Sequence, residues 1–292
     1  MKKILFLILC VMLIGGCQKQ GTIDKDLDNK QGEDIVDKDK DGATSPDDGT
    51  GDKARGEDGE EEMYTFTAIV GRTLEKGLNV FVLDYGYMKK FEPLSVSYDK
   101  ELDVALGDIV EITFNGMVLE SYPGQIGAEK ITVKEKKGEG WPATEMLDED
   151  YFKEENIKDG NLVIVHGKDD GAELLWNFLS HTKAGIINFL RMISFTDEGD
   201  PIVTDVLYDG TSYHVFSDSS RDAFRGDYPN IQAAEYTYLN SYTKDGETVW
   251  YLANRDNISN EEYEKSFDPE QEKDWIDKFV FYPSSKEGQV IN

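Results

Sequence analysis

Residues 18–62 constrain the fold more than any other part of the chain, because they are highly charged and hold almost no large apolar side chains. They contain 16 acidic and seven basic residues. A segment of this composition cannot bury enough apolar surface to offset the entropy lost on ordering, so residues 17–62 are predicted to form a disordered tether. Repulsion between its like charges would keep the tether extended. A folded core is therefore expected only in residues 63–292.

Residues 1–16 have the features of a bacterial export signal. Lys2 and Lys3 form a positive region, and residues 4–14 form an apolar run shorter than the roughly 20 residues that span a membrane as a helix. The sequence Ile14-Gly15-Gly16-Cys17 follows and resembles the lipobox of bacterial lipoproteins. The resemblance implies cleavage before Cys17, a lipid on its sulfur, and anchoring at the extracytoplasmic face of the cell membrane. The alternative is an ordinary signal peptide with an incidental cysteine.

The cysteine content limits the chemistry open to the mature chain. There are two cysteines, and Cys10 lies inside the predicted signal. The other, Cys17, carries the implied lipid, so neither a disulfide framework nor a thiol nucleophile is expected. Stability must therefore come from packed apolar cores.

The tether contains a pattern similar to a calcium-binding loop. Asp37, Asp39 and Asp41 alternate with other residues, and Asp48 stands in the twelfth position, where such loops have a bidentate Glu. Pro46 interrupts the loop, and no amphipathic helix flanks it. A solvated acidic spacer is the favoured interpretation, with calcium binding as the alternative.

The predicted folded part is strongly acidic. The whole chain has a net charge of −28, to which residues 1–16 contribute +2 and residues 17–62 contribute −9, leaving −21 for residues 63–292. Such a surface repels phosphate backbones, so nucleic acid is not expected to be a partner. The sequence has no P-loop, no Gly-x-Gly-x-x-Gly, no His-Glu-x-x-His and no Cys-x-x-Cys. No cofactor is therefore predicted.

Residues 63–136 are predicted to form a small OB-like antiparallel β-barrel. Short segments rich in β-branched and aromatic residues alternate with Gly, Asp or Pro, as is typical of small all-β domains. These segments are 64–70, 78–83, 94–98, 109–114, 117–122 and 126–133. Asn115-Gly116 predicts a two-residue hairpin turn, which would place Glu111 opposite Glu120. The runs 107–112 and 120–126 resemble small OB-like domains of unknown function in Firmicute lipoproteins.

Residues 137–159 are predicted to be a connector with a short helix, and residues 160–292 an α+β domain with a helix packed on an antiparallel sheet. Residues 162–165 form a short apolar run, which favours a buried strand. Apolar side chains then recur at helical spacing from Ala172 to Leu179. Residues 186–195 indicate a central strand, and the Asp-Gly pairs at 209–210 and 245–246 predict two hairpins.

Several blocks in the second domain resemble a known family. They are Arg191 to Ile202, Leu207-Tyr208-Asp209-Gly210 and Asp218 to Asp222, with His166-Gly167 upstream. Together they are similar to the domain-of-unknown-function family 4362 of Firmicute lipoproteins, over residues 160–255. The resemblance implies a shared fold, and the family has no established activity.

Five residues of this domain are candidates for binding or catalysis: Arg191, Asp205, His214, Arg221 and Asp222. Arg191 lies in an apolar strand and must be paired, either with Asp205 or Asp222 or with an anionic ligand. A two-residue turn at 209–210 would place Asp205 opposite His214, a pair that can orient a general base. Asp218, Arg221 and Asp222 are predicted to form either a ligand clamp or an Asx-type turn with an ion pair.

A cluster of carboxylates at Asp197, Glu198 and Asp200 is the candidate metal site, since hard cations prefer oxygen ligands. A solvated acidic turn is the alternative on so acidic a chain. Two functions then remain open. The favoured one is a membrane-anchored, non-enzymatic module that binds an envelope protein or a small ligand. The alternative is an envelope hydrolase using Asp205, His214 and Arg191, although no Gly-x-Ser-x-Gly motif accompanies them.

Overall fold

The computed structural model describes residues 62–138, 140–165, 168–227, 229–268 and 276–281. The predicted signal, Cys17, the tether with its calcium-like pattern, and His166-Gly167 therefore lie outside the described residues. All described residues belong to one compact unit, Glu60–Asn292. Within the described ranges, no helix is both long enough and apolar enough to cross a membrane.

Five strands near the start of the described chain close into a barrel, which confirms the OB-like prediction. They are β1 (Tyr64–Leu74), β2 (Gly77–Asp84), β3 (Pro93–Ser97), β4 (Ile109–Phe114) and β5 (Gly124–Glu135). Alternate residues such as Phe66, Ala68 and Val70 fill the interior, as the two-residue period of a strand requires. The barrel order is β1-β2-β3-β5-β4, with β4 also paired to β1. β5 is parallel to β3, so the prediction of an entirely antiparallel barrel is wrong for this pair.

The hairpin predicted at Asn115-Gly116 is also wrong. Gly116 has a positive φ of 83° and the chain does turn there. However, residues 117–122 form no strand, and both edges of β4 are already occupied by β1 and β5. Glu111 therefore lies opposite Thr67 on β1 and Thr132 on β5, and not opposite Glu120.

Replacing Glu111 by Gln is expected to lower the free energy of unfolding by no more than about 1 kcal/mol, because Glu111 forms a partly exposed ion pair. Its Oε2 lies 3.2 Å from Nζ of Lys134. A Glu111–Glu120 pair would give the opposite sign, since removing like-charge repulsion stabilises a sheet. Urea unfolding of Glu111→Gln beside Glu120→Gln distinguishes the two registers. A gain in stability in both variants would contradict the observed pairing.

The connector contains three short helical turns in place of one predicted helix. They are α1 (Pro142–Glu145), a 3₁₀ helix (Glu149–Phe152) and α2 (Glu154–Ile157). Pro142 occupies a first-turn position of α1, where its missing N–H has no cost. Asp148 caps the 3₁₀ helix by accepting a hydrogen bond from the N–H of Tyr151. Neither α1 nor α2 has a side-chain cap, so the 3₁₀ helix is the one capped turn of the three.

The second domain is built on a six-stranded sheet with one main helix. Its elements are β6 (Asn161–Val165), β7 (Lys168–Asp170), α3 (Ala172–Lys183), β8 (Asn188–Phe195), β9 (Pro201–Tyr208), β10 (Tyr213–Asp218) and β11 (Ile231–Tyr236). The strand order β11-β10-β9-β8-β6-β7 confirms that β8 is central. Because α3 crosses over between β6 and β8, these two strands are parallel. The predicted antiparallel sheet is therefore a mixed sheet.

The last strands form a separate three-stranded sheet, which was not predicted. It consists of β12 (Tyr238–Lys244), β13 (Glu247–Ala253) and β14 (Lys278–Phe281), and α4 (Asn260–Lys265) lies between β13 and β14 in the chain. The predicted hairpin at 245–246 is confirmed. Asp245 and Gly246 both have positive φ, as a type I′ turn requires.

The two faces of the six-stranded sheet pack against different layers. On one face, Leu190, Val206 and Val215 contact α3 and the three-stranded sheet. On the other face, Phe189 and Phe216 belong to a core shared with the barrel and the connector. The buried residues of this shared core are Ile69, Phe81, Phe91, Ile109, Trp141, Ala143, Ile187, Phe189, Leu207 and Phe216. The face turned towards the barrel also carries the buried charges described next.

Candidate functional site

Arg191 on β8 and Asp205 on β9 form a buried ion pair. They are directly opposite each other in the sheet, and their side chains are 1% and 0% exposed. Nε of Arg191 donates to Oδ1 of Asp205, and Nη2 donates to Oδ2, each at 2.7 Å. This two-point geometry is the strong form of an arginine–carboxylate contact. Asp205, and not Asp222, is therefore the internal partner that Arg191 requires.

The connector supplies the remaining partners of this ion pair. Nε1 of Trp141 donates to Oδ2 of Asp205 at 2.7 Å. Nη2 of Arg191 donates to the carbonyl of Ala143 at 3.1 Å, and Nη1 donates to the Tyr151 hydroxyl at 3.3 Å. We refer to these five residues as the Arg191 clamp. All three guanidinium nitrogens have protein partners, so the clamp joins the sheet to the connector.

Electrostatics keep the Arg191 clamp ionised. Burial by itself lowers the pKa of Arg191, but the charge of Asp205 and its hydrogen bonds outweigh this effect and raise the pKa overall. The guanidinium also lies 5.0 Å from the ring centroid of Phe91, a favourable cation–π distance. A guanidinium that is buried and paired in this way stays protonated. It stabilises the contact between the sheet and the connector and is not suited to act as an acid or a base.

His214 does not face Asp205, so the predicted carboxylate–imidazole pair is wrong. Tyr208 pairs with Tyr213, which makes the connection between β9 and β10 four residues long. Asp205 is therefore opposite Phe216. The cluster of Asp205, His214 and Arg191 predicted for a hydrolase is not assembled, because only Arg191 and Asp205 meet.

The partner of His214 is Asp209, in the turn itself. Nε2 of His214 lies 3.1 Å from Oδ2 of Asp209. The other carboxylate oxygen, Oδ1, accepts hydrogen bonds from the N–H groups of Thr211 and Ser212. Burial by itself raises the pKa of Asp209. These hydrogen bonds and the contact with His214 have a larger, opposite effect, so the pKa is lowered overall. This Asx-type turn explains why the connection is longer than the Asp-Gly pair predicted.

Arg221 makes a second link from the sheet to the connector. Nη1 donates to Oδ2 of the buried Asp218 at 3.1 Å. Nη2 donates to the carbonyls of Thr144 and Leu147. Asp222 instead accepts a hydrogen bond from the N–H of Phe224 at 2.7 Å. The alternative of an Asx-type turn with an ion pair therefore fits these residues better than a ligand clamp.

The carboxylates of the predicted metal site do not converge. Asp197 and Glu198 are exposed, and Oδ2 of Asp200 accepts a hydrogen bond from the N–H of Ala223. In the parts of the chain that the structure describes, no three side chains of His, Cys, Asp or Glu are grouped to hold a metal ion. The loop that carries Asp197, Glu198 and Asp200 therefore fits the alternative of a solvated acidic turn.

His181, at the end of α3, joins the helix to the barrel. Its Nδ1 lies 2.7 Å from Nδ2 of Asn188 and 3.3 Å from the hydroxyl of Tyr122. The rings of His181 and Tyr122 are also 4.8 Å apart. Burial lowers the pKa of His181 below its ordinary value of 6.5. A helix C-terminus usually favours a charged histidine, so here burial outweighs the helix dipole.

The lowered pKa of His181 predicts a loss of stability in mild acid. Below pH 6.5 the unfolded chain binds a proton at this residue before the folded chain does. The free energy of unfolding should therefore fall as the pH drops from 6.5 and level off below the folded pKa. Urea unfolding between neutral pH and mild acid, compared with His181→Gln, isolates this residue. Equal pH slopes in both proteins would contradict the assignment.

Sequence reasoning missed a cleft in the last part of the domain. It is lined by Tyr242, Lys244, Tyr263, Glu264 and Phe267, and its volume is about 310 Å³. We refer to it as the tyrosine cleft. It forms where β12 meets α4, two elements that β13 separates in the chain. The one local signal was the capping box of Ser259 and Glu262, which marks the start of α4.

Comparisons with known proteins agree with one part of the sequence analysis. No curated protein matches the chain. Residues 158–251, less than half of the chain, match the family described as Domain of unknown function (DUF4362). The match runs from the end of the connector into β13 and leaves the OB-like barrel outside. The chain thus contains a DUF4362 domain at residues 158–251, preceded by an OB-like barrel.

Proposed function

We propose that this chain is a lipid-anchored, extracytoplasmic module that binds a ligand or partner and has no enzymatic activity. The observation that carries the proposal is the Arg191 clamp. Arg191 and Asp205 are two of the three residues considered for catalysis. Both are buried, and both form hydrogen bonds with other protein atoms. A catalytic group must reach its substrate within hydrogen-bond distance, and these two groups are closed off from solvent.

The tyrosine cleft supports the binding role. Small-molecule sites combine aromatic walls with a few polar groups that fix orientation, and most have volumes of about 300–1,000 Å³. The cleft has three aromatic side chains, one lysine and one glutamate, and its volume lies at the lower end of this range. We therefore assign ligand binding to the cleft.

The sequence supports an extracytoplasmic, membrane-anchored location. In this proposal Cys17 carries the lipid, and residues 18–62 hold the folded unit away from the membrane. The net charge of −21 on residues 63–292 favours neutral or basic partners over nucleic acid.

The anchor is tested by replacing Cys17 with Ser in the full chain and measuring incorporation of radiolabelled palmitate in a bacterial host. The unsubstituted chain should be labelled and fractionate with membranes. Cys17→Ser should lose both the label and the membrane association. An unlabelled wild-type chain would show that the lipobox resemblance is incidental.

The binding role is tested by a thermal-shift screen of residues 60–292, which form one compact unit. Small neutral, anionic and cationic molecules and amino acids are added one at a time. At least one class should raise the melting temperature, and Phe267→Ala in the cleft should remove the shift. Tyr87→Ala is the matched control, because Tyr87 is an exposed aromatic residue on the barrel. No shift with any class, or an equal shift in both variants, would exclude the cleft as a binding site.

A further inference from the structure

We propose that the ligand of the tyrosine cleft is a neutral saccharide. This inference rests on the proposed function of the cleft as a binding site, and adds the chemical class of the ligand.

The cleft has a preformed aromatic surface. The rings of Tyr242 and Tyr263 are stacked, with centroids 4.5 Å apart and planes at 26°. Tyr263 is supported from below by the buried Tyr251, at 4.6 Å. Phe267 packs edge-on against Tyr263 and is 57% exposed. Tyr263 is itself only 5% exposed, so Tyr242 and Phe267 are the rings that a ligand can reach, and Tyr263 holds both in place. Rings fixed in this way offer an apolar surface without a large loss of side-chain entropy on binding.

A pair of polar groups stands beside the rings. Oε1 of Glu264 accepts hydrogen bonds from the hydroxyl of Tyr242 and from Nζ of Lys244, at 2.5 and 2.9 Å. The side chains of Lys244 and Glu264 are 61% and 49% exposed, so a ligand can reach them. A carboxylate has about four acceptor positions and an ammonium group has three donors, so both can also bond to ligand hydroxyls. Ring faces next to paired donors and acceptors match a sugar, which has an apolar C–H face and a polar rim.

The balance of charge argues against ionic ligands. The lysine and the glutamate that line the cleft cancel each other, and each is the other's partner. An anion would therefore have to compete with Glu264 for Lys244, on a chain that is already strongly acidic. A cation would meet Nζ of Lys278, which lies 4.0 Å from the ring centroid of Phe267. A wholly apolar ligand would cover the ion pair without replacing its contacts with water.

Titration of residues 60–292 with maltotetraose, cellotetraose and chitotetraose tests this inference, with glucose 6-phosphate as the charged comparison. Isothermal titration calorimetry measures affinity, and circular dichroism confirms that each variant is folded. At least one neutral oligosaccharide should bind saturably. Phe267→Ala and Glu264→Gln should each weaken that binding by about tenfold or more. Tyr87→Ala should bind as the unsubstituted protein does, and glucose 6-phosphate should bind more weakly than the tetrasaccharide.

The outcomes separate the two proposals. If another class of ligand binds and Phe267→Ala abolishes that binding while no saccharide binds, the saccharide inference fails and the binding role stands. If no compound depends on Phe267, both fail. Saccharide binding that is equal in Phe267→Ala and Tyr87→Ala would also overturn the inference, since it would place the site elsewhere.

Discussion

Replacing Asp205 by Ala is expected to lower the free energy of unfolding by about 3–5 kcal/mol, because the substitution leaves a buried guanidinium without its counter-ion. Asp205 is fully buried and accepts two hydrogen bonds from Arg191 and one from Trp141. Water cannot replace these contacts at a site with no exposed surface. The loss should appear as a lower urea midpoint and, at raised temperature, as unfolding of the whole unit.

A double variant tests whether the uncompensated charge causes this loss. Arg191→Met with Asp205→Leu removes both charges and keeps apolar volume, so it should be more stable than Asp205→Ala alone. Glu264→Gln breaks an exposed ion pair and should leave the urea midpoint almost unchanged. If Asp205→Ala proved as stable as Glu264→Gln, the Arg191 clamp could not have the stabilising role assigned to it.

Replacing Trp141 by Ala is expected to cost about 3–5 kcal/mol, the usual range for deleting a large buried aromatic side chain. Trp141 is completely buried, and its ring stacks on Phe216 with centroids 3.9 Å apart and planes at 6°. The substitution therefore removes the stacked pair and opens a cavity between the connector and the sheet. It also removes the donor to Asp205.

Two further variants divide this effect. Trp141→Phe keeps most of the apolar contact and should cost only about 1–3 kcal/mol, mainly for the lost hydrogen bond to the buried carboxylate of Asp205, which keeps its two bonds from Arg191. Met146→Ala is the control in the same connector, since Met146 is largely exposed. The costs of Trp141→Ala and Asp205→Ala should not add in the double variant, because the two residues share a hydrogen bond. Strict additivity would show that Trp141 acts independently of the clamp.

The parts of the fold predicted correctly are those with a strong local signal in the sequence. The β-branched and aromatic residues from Tyr64 to Val70 identified β1, and the helical spacing of apolar side chains from Ala172 to Leu179 identified α3. Pairing partners carry no such local signal. Asn115-Gly116 does form a turn, yet the strand that precedes it pairs with β1 and β5, which are distant in sequence.

In the candidate site, only the contacts that a buried side chain needs for its charge could be predicted from the sequence. An arginine in an apolar strand needs a counter-ion, and the sequence offered Asp205, Asp222 or an anionic ligand, of which Asp205 is the partner observed. The carbonyl of Ala143 could not be predicted, because a backbone acceptor has no sequence signature. The partner of His214 was missed for a related reason. Asp209 bonds to the backbone of its own turn and so changes the length of the turn on which the register depends.

The shared core limits which segments of this chain can be separated from the rest. A piece cut at residues 158 and 251 would keep Arg191 and Asp205 but lose Trp141 and the carbonyl that accepts from Arg191. It would also end inside β13 and lose Phe281 from the core beneath α3. The segment that matches the family is therefore smaller than the set of residues that forms its two cores. Transfer of this domain to another protein by recombination would succeed only if the connector and the last strand moved with it.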